Sequence, residues 1–133
     1  MKKINCVLLV DDDNINNFIN ERLLKKLNIT HNVKVAMNGE EALDFLKSNA
    51  ENLFPELILL DINMPEMNGI EFLKNFKKMV LDYNIRVILL TGIVTPEIRK
   101  KLASLGYADV IEKPFSEEKL WSILRKDLMK VNK

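Results

Sequence analysis

Three consecutive aspartates, Asp11-Asp12-Asp13, close one short apolar run, and a fourth, Asp61, closes another. Two further runs lead into Thr91-Gly92 and Lys113-Pro114. Carboxylates gathered in one place repel one another unless protons or a cation neutralise them. A hard divalent ion with oxygen ligands is the economical solution, and Mg²⁺ suits a site that keeps several waters. The Asp61 carboxylate is also a candidate nucleophile, of the kind that forms aspartyl-phosphates. Phosphoryl transfer asks for little beyond in-line positioning and charge stabilisation. Mg²⁺ held by Asp12 and Asp61, with Asp11 nearby, would neutralise phosphoryl oxygens, and Lys113 and the Thr91 hydroxyl would hold the others. The single histidine, His31, precedes the second strand at the opposite end of the sheet and is expected at the surface.

These residues act together only if the chain folds so as to gather them. Cys6-Val7-Leu8-Leu9-Val10, Leu57-Ile58-Leu59-Leu60 and Val87-Ile88-Leu89-Leu90 are continuous apolar runs, the mark of strands buried on both faces. Val33-Lys34-Val35-Ala36-Met37 alternates and Val110-Ile111 is very short, so both read as edge strands. Helical spacing fills the intervals. Ile15, Phe18, Ile19, Leu23 and Leu27 are expected to share one buried face, as are Ala42, Leu43, Leu46 and Ala50, and Ile70, Leu73, Phe76 and Val80. Ile98, Leu102 and Leu105 follow Thr95-Pro96, an N-cap with proline at the first helical position, and Gly106 ends that helix. Leu120, Ile123, Leu124, Leu128 and Val131 follow the cap Ser116 with Glu117 and Glu118 in the first turn. Ser48 to Phe54 is the one soft connection.

Strand and helix alternate five times, which implies right-handed crossovers and a parallel sheet covered on both faces. With the apolar strands central and the weaker ones at the edges, the expected fold is α/β: a flavodoxin-like (βα)5 doubly wound sandwich with strand order 2-1-3-4-5. Its topological switch point lies between strands one and three, where ligands bind beyond the carboxyl ends. Asp11-Asp12-Asp13 and Asp61 stand at those ends, about 4.8 Å apart laterally.

Taken singly, each residue has an ordinary explanation. Asp13 reads as the N-cap of the first helix, Asp61 as a turn residue, Thr91 as a strand residue and Lys113 as a solvated lysine. Isolated caps, however, have no reason to converge on one crevice from four strand ends.

The chain has 133 residues, a length suited to one domain, and the expected organisation is a single unit over 1–133 with no output domain. Twenty basic against 19 acidic residues leave a net charge of +1, which gives no footprint for nucleic acid. No apolar run approaches the roughly 20 residues needed to cross a bilayer, and the N-terminus lacks a signal-peptide cleavage site, so no membrane role is expected. A lone cysteine, Cys6, excludes an internal disulfide and suits a reducing, cytoplasmic setting.

The stretches Val7-Leu8-Leu9-Val10-Asp11-Asp12-Asp13, Leu59-Leu60-Asp61-Ile62-Asn63-Met64-Pro65-Glu66-Met67-Asn68-Gly69, Leu89-Leu90-Thr91-Gly92 and Glu112-Lys113-Pro114-Phe115 together resemble the receiver domain of two-component response regulators. The match in order and spacing extends over essentially the whole chain. The resemblance implies that Asp61 is the phosphoacceptor and Asp12 the direct Mg²⁺ ligand, with Asp11 working through water and the backbone carbonyl of Asn63 as third protein ligand. Thr91 would be the switch hydroxyl, Lys113 the phosphate-pairing lysine, and the Lys113–Pro114 bond cis. Asn63 and Ile93 would influence phosphoryl lifetime. The resemblance further implies a sensor histidine kinase or histidine phosphotransfer protein as donor. An output partner would meet the face of helix four, strand five and helix five, in a monomer or a phosphorylation-dependent dimer.

One position departs from the pattern. Val110 stands three residues before the lysine, where family members usually carry Tyr or Phe, and Tyr107 is out of register for that role. Trp121 lies beside the apolar stripe of the last helix, and Arg99-Lys100-Lys101 reads as a solvated face. Three competing functions are weighed against the switching receiver. A haloacid-dehalogenase-type phosphatase would need its nucleophile after strand one and a cap domain. A pseudo-receiver binding module would typically lack an acid or the lysine. A phosphorelay intermediate would use the same residues and pass the phosphoryl group onward.

Overall fold

The computed structural model describes residues 4–48, 55–62, 69–79, 85–92, 94–107, 109–113 and 115–131, and the side chains among them other than 48 and 125–131. The strands are β1 (Ile4–Val10), β2 (Thr30–Ala36), β3 (Leu57–Asp61), β4 (Arg86–Thr91) and β5 (Val110–Glu112). The helices are α1 (Asn14–Leu27), α2 (Gly39–Ser48), α3 (Gly69–Lys77), α4 (Pro96–Ser104) and α5 (Glu117–Val131). All strands are parallel in the order β2-β1-β3-β4-β5, the doubly wound topology expected.

Alternation along the central strands divides the core into two layers. Leu8, Val10, Ile58, Leu60, Val87 and Leu89 pack with Ala42, Leu43 and Leu46 of α2, Phe72, Leu73 and Phe76 of α3, and Leu102 of α4. Val7, Leu9, Leu57, Leu59, Ile88, Leu90 and Ile111 turn to the other face, against Leu24 of α1 and Leu120 and Leu124 of α5. Each such buried side chain stabilises the fold by about 1.5–3 kcal/mol over an exposed one. Phe72 and Phe76 stack at 5.7 Å between centroids, so α3 buries a residue, Phe72, beyond its expected stripe.

The helix ends follow the expected chemistry. Thr95 Oγ accepts from Ile98 N at 3.1 Å and Ser116 Oγ from Lys119 N at 3.3 Å. Asn38 Oδ1 accepts from Glu41 N at 2.7 Å at the start of α2. Gly106 follows α4 with φ of +92°, a conformation that favours glycine. Strand β2 begins earlier than its alternation suggests, so exposed His31 lies within it rather than before it. Ala50, Val80 and most of the Ser48–Phe54 connection lie outside the described residues. Among the described residues, no helix is long and apolar enough to cross a membrane.

Helix α1 departs from expectation. Ile15, Phe18 and Ile19 are 70 %, 62 % and 55 % exposed, and the buried residues are Asn17, Asn20 and Leu24. The N-cap fixes this phase: Asp13 Oδ1 accepts from Ile15 N at 2.8 Å and Asn16 N at 3.2 Å. The face turned inward passes under the carboxyl end of β1, where a side-chain amide finds the Asp11 carbonyl to bond. The apolar stripe lies about one residue around the helix, toward solvent. Replacing Ile15 with Ser is expected to change stability by no more than about 0.5 kcal/mol, whereas Leu24→Ala costs about 2–5 kcal/mol. Urea unfolding measures both, and a large loss in Ile15→Ser would show that the stripe is buried after all.

Candidate functional site

Strand register decides what meets at the switch point. Val10 pairs with Leu60, so Asp11 and Asp61 leave adjacent strands at the same level. Asp61 is level with Leu90 and Thr91 with Glu112, which brings Thr91 and Lys113 to the same rim. Backbone bonds lock these ends together. Ile62 N donates to Leu90 O at 3.1 Å, and Lys113 N donates to Thr91 O at 2.7 Å.

Carboxylate oxygens of Asp11, Asp12 and Asp61 lie within 4.8 Å of one another. Asp11 and Asp61 are buried, while Asp12 is exposed. Lys113 Nζ stands 3.3 Å from Asp61 Oδ2 and 3.8 Å from Asp11 Oδ2. Asp11 Oδ1 accepts from Asp13 N at 2.9 Å, but its buried Oδ2 has no hydrogen-bond partner among the described residues. Thr91 is fully buried at the end of β4. The structure therefore gathers Asp11, Asp12, Asp61, Thr91 and Lys113 and assigns Asp13 to the cap. Asn63, Ile93 and Pro114, and with Pro114 the expected cis bond, lie outside the described residues.

Gly69 explains the glycine that follows Asp61 in the sequence pattern. Its N–H donates to Ile62 O at 2.8 Å, so α3 starts directly against the end of β3. A Cβ there would stand 2.6 Å from Ile62 Cα and 2.9 Å from Asp61 O. No side chain fits without moving the backbone of Asp61 itself.

Desolvation pushes the Asp11 carboxyl up from the ordinary 3.8 to about 6. The Asp13 N–H and Lys113 pull it down, and the charges of Asp61 and Asp12 push it further up. Three acids thus face one ammonium. An all-oxygen donor set, a buried carboxylate oxygen that accepts no hydrogen bond among the described residues and excess negative charge fit a hard divalent cation.

Three features carried no sequence signal. Buried Asn17 donates from Nδ2 to Asp11 O at 2.8 Å, although its position read only as the polar side of α1. Asn16, Ile19, Asn20, Leu90, Lys113 and Phe115 line a cavity of about 410 Å³ beside the acids. At the far side of the sheet, Arg99, Ala103, Tyr107 and Val110 line one of about 200 Å³ where the usual aromatic is missing.

Comparison with known proteins agrees with this geometry. The family profile described as "Response regulator receiver domain" matches residues 7–125. The sporulation initiation phosphotransferase F of Bacillus subtilis is 35 % identical over 92 % of both chains. Two-component response regulator 24 of Arabidopsis thaliana is 36 % identical over 90 % of this chain and 81 % of its own. Among such curated relatives the chain spans from 15 % to 92 % of their length. The crystal structure of a two-component response regulator from Cytophaga hutchinsonii superposes with a TM-score of 0.83 at 31 % identity, covering 96 % of this chain and 98 % of that one.

The raised pKa gives a stability test on the metal-free protein. Folded Asp11 holds its proton more tightly than the unfolded chain does. Its contribution therefore favours the fold fully below about pH 3.8 and is lost as pH rises through about 6. Asp11→Asn keeps the acceptor for Asp13 N and removes the strained charge. At pH 7.5 with EDTA the variant is expected to gain about 1–3 kcal/mol, and the gain should shrink toward pH 5. Urea unfolding at the two pH values checks this; a less stable variant would remove Asp11 as the strained acid.

Proposed function

The chain belongs to the response regulator receiver family, and on that premise we propose that Asp61 accepts a phosphoryl group from a phosphohistidine on a sensor histidine kinase or a histidine phosphotransfer protein. The receiver domain is a signalling unit rather than a classical enzyme. The observation that carries the reading is the convergence of Asp11, Asp12, Asp61 and Lys113 at one strand-end crevice.

An Asp61 carboxylate oxygen attacks phosphorus in line, forming the acyl-phosphate O–P bond. The P–N bond breaks, its electron pair stays on the imidazole nitrogen, and the ring leaves as it takes up a proton. Lys113, already 3.3 Å from Asp61, pairs with a phosphoryl oxygen once the acid is phosphorylated. The Thr91 hydroxyl donates to another. Asp12 and Asp61 would hold Mg²⁺ directly, with Asp11 through water and the Asn63 carbonyl as a further ligand. When bound, Mg²⁺ supplies positive charge beside the phosphoryl oxygens.

The phosphorylated state is read on the face of α4, β5 and α5. Val110 supplies no aromatic ring there, so a shift of the Thr91 hydroxyl toward the phosphoryl group acts through the packing around Val110 and Tyr107. Near end-to-end similarity to a phosphotransferase, over 92 % of both chains, favours a second reading in which Asp61 passes its phosphoryl group onward to another histidine. On either reading the apolar face of α1, which begins immediately after Asp12 and Asp13, is where the histidine protein seats.

Intact mass after incubation with Mg²⁺ and acetyl phosphate tests the acceptor. One added phosphoryl group is expected, absent in Asp61→Asn and absent without Mg²⁺. Labelling of Asp61→Asn would move the acceptor elsewhere, and a folded protein that never labels would be a pseudo-receiver. The donor seat has its own test. Phe18→Lys is expected to slow transfer from a phosphorylated histidine phosphotransfer protein about tenfold, or about 1.4 kcal/mol, and to leave acetyl phosphate labelling unchanged. Equal slowing with both donors would place Phe18 in the folding of the site rather than in docking.

A further inference from the structure

The Asp12 carboxylate is exposed, and no hydrogen bond or ion pair orients it among the described residues. Its direction is set by the backbone that carries it, above all by the peptide plane joining Asp11 to Asp12. Asp11 is held at three of its polar atoms. Its N–H donates to Ala36 O at 3.1 Å in the last rung between β1 and β2, and its Oδ1 accepts from Asp13 N. Its carbonyl, which belongs to that peptide plane, accepts from Asn17 Nδ2 at 2.8 Å.

Asn17 is itself firmly held. It is 4 % exposed, its own N–H donates to Asp13 O at 3.0 Å, and its Nδ2 also contacts Met37 Sδ at 3.6 Å. Met37 N in turn donates to Glu41 Oε1 at 3.2 Å. The amide thus ties the acidic turn to α1 and to the connection between β2 and α2. Its second polar atom, Oδ1, is buried with no hydrogen-bond partner among the described residues. Packing alone does not account for a buried amide that leaves one acceptor unsatisfied; the amide sits where its Nδ2 pairs the Asp11 carbonyl, which a leucine of similar volume would leave bare.

From this arrangement we propose that Asn17 is a positioning residue for the divalent cation: it holds the 11–12 peptide plane so that Asp12 projects toward Asp61. The inference rests on the reading of the crevice as an Mg²⁺ site. A group that orients a metal ligand characteristically changes affinity by about 10–100-fold when removed. The role is separable from folding, because Asn17→Leu exchanges one unsatisfied buried acceptor, Oδ1, for another, the Asp11 carbonyl.

Calorimetric titration with Mg²⁺, without any phosphodonor, tests the inference on the wild-type chain, Asn17→Leu and Asn17→His. The leucine variant is expected to bind Mg²⁺ roughly tenfold more weakly or worse. Its thermal midpoint in EDTA should stay within a few degrees of wild type, and amide resonances of residues 11–13 should shift in the metal-free protein. Asn17→His, whose ring Nδ1–H lies at the same bond separation from the backbone as Asn Nδ2, is expected to restore most of the affinity. Unchanged affinity in the leucine variant overturns the proposal, as does an equal loss in the histidine variant or a loss that tracks a fallen thermal midpoint. A wild-type chain that binds Mg²⁺ but takes no phosphoryl group would overturn the phosphoacceptor reading and leave this inference standing. A wild-type chain that binds no Mg²⁺ would overturn both this inference and the metal reading beneath it.

Discussion

Carboxylate repulsion at the end of β1 and β3 is the constraint around which this molecule is built. Parallel pairing of Val10 with Leu60 forces Asp11 and Asp61 out of the sheet side by side, and both are buried. Neither can retreat to water without breaking a central strand. The opposing force comes from the two apolar layers, in which Leu8, Leu9, Leu59 and Leu60 are almost completely buried. Those layers hold the acids together more strongly than the acids push apart, and burial first, with the charges of Asp61 and Asp12 adding to it, raises the pKa of Asp11. Lys113 offsets part of that rise. What remains is a standing demand for positive charge at one point on the surface.

Polar groups near that point answer to the crevice rather than to the rules for a helix on a sheet. Helix α1 turns Asn17 and Asn20 inward and leaves Ile15 and Phe18 in solvent, which inverts the amphipathic pattern over its first turns. Farther along, Leu24 restores the normal arrangement. The inversion is confined to the stretch that runs beneath Asp11, and there the amide of Asn17 meets a backbone carbonyl that would otherwise be buried unpaired. The exposed apolar residues are the other side of the same rotation.

Most of the architecture is legible in the sequence because it follows from periodicity and capping. Continuous apolar runs mark β1, β3 and β4 as central, and Thr95-Pro96 and Ser116 announce α4 and α5 at the positions observed. The acids, Thr91 and Lys113 are legible as a site because strand ends in a doubly wound sheet have a known common direction. The facing of α1 is not legible. Apolar spacing alone favours Ile15, Phe18 and Ile19, and a stripe displaced by one residue has nearly the same spacing. The choice is made by the Asp13 cap and by a side-chain bond to the backbone of Asp11, which no pattern of hydrophobicity encodes. Phe72 was missed for a related reason: α3 is buried around more of its circumference than a single stripe implies.

The crevice is fastened to the helices unequally. Helix α3 begins on Gly69, bonded to the residue after Asp61, and buries Gly69, Phe72, Leu73 and Phe76. Helix α4 buries only Leu102 and hangs on the Thr95 cap beyond Thr91, while β5 is three residues long. Lys113 N is bonded to Thr91 O, so a pull on the lysine or the threonine reaches both of these weakly anchored elements at once. Elements with few buried contacts open at the lowest free energy. The end of β3 is thus anchored more firmly by α3 than the ends of β4 and β5 are by α4.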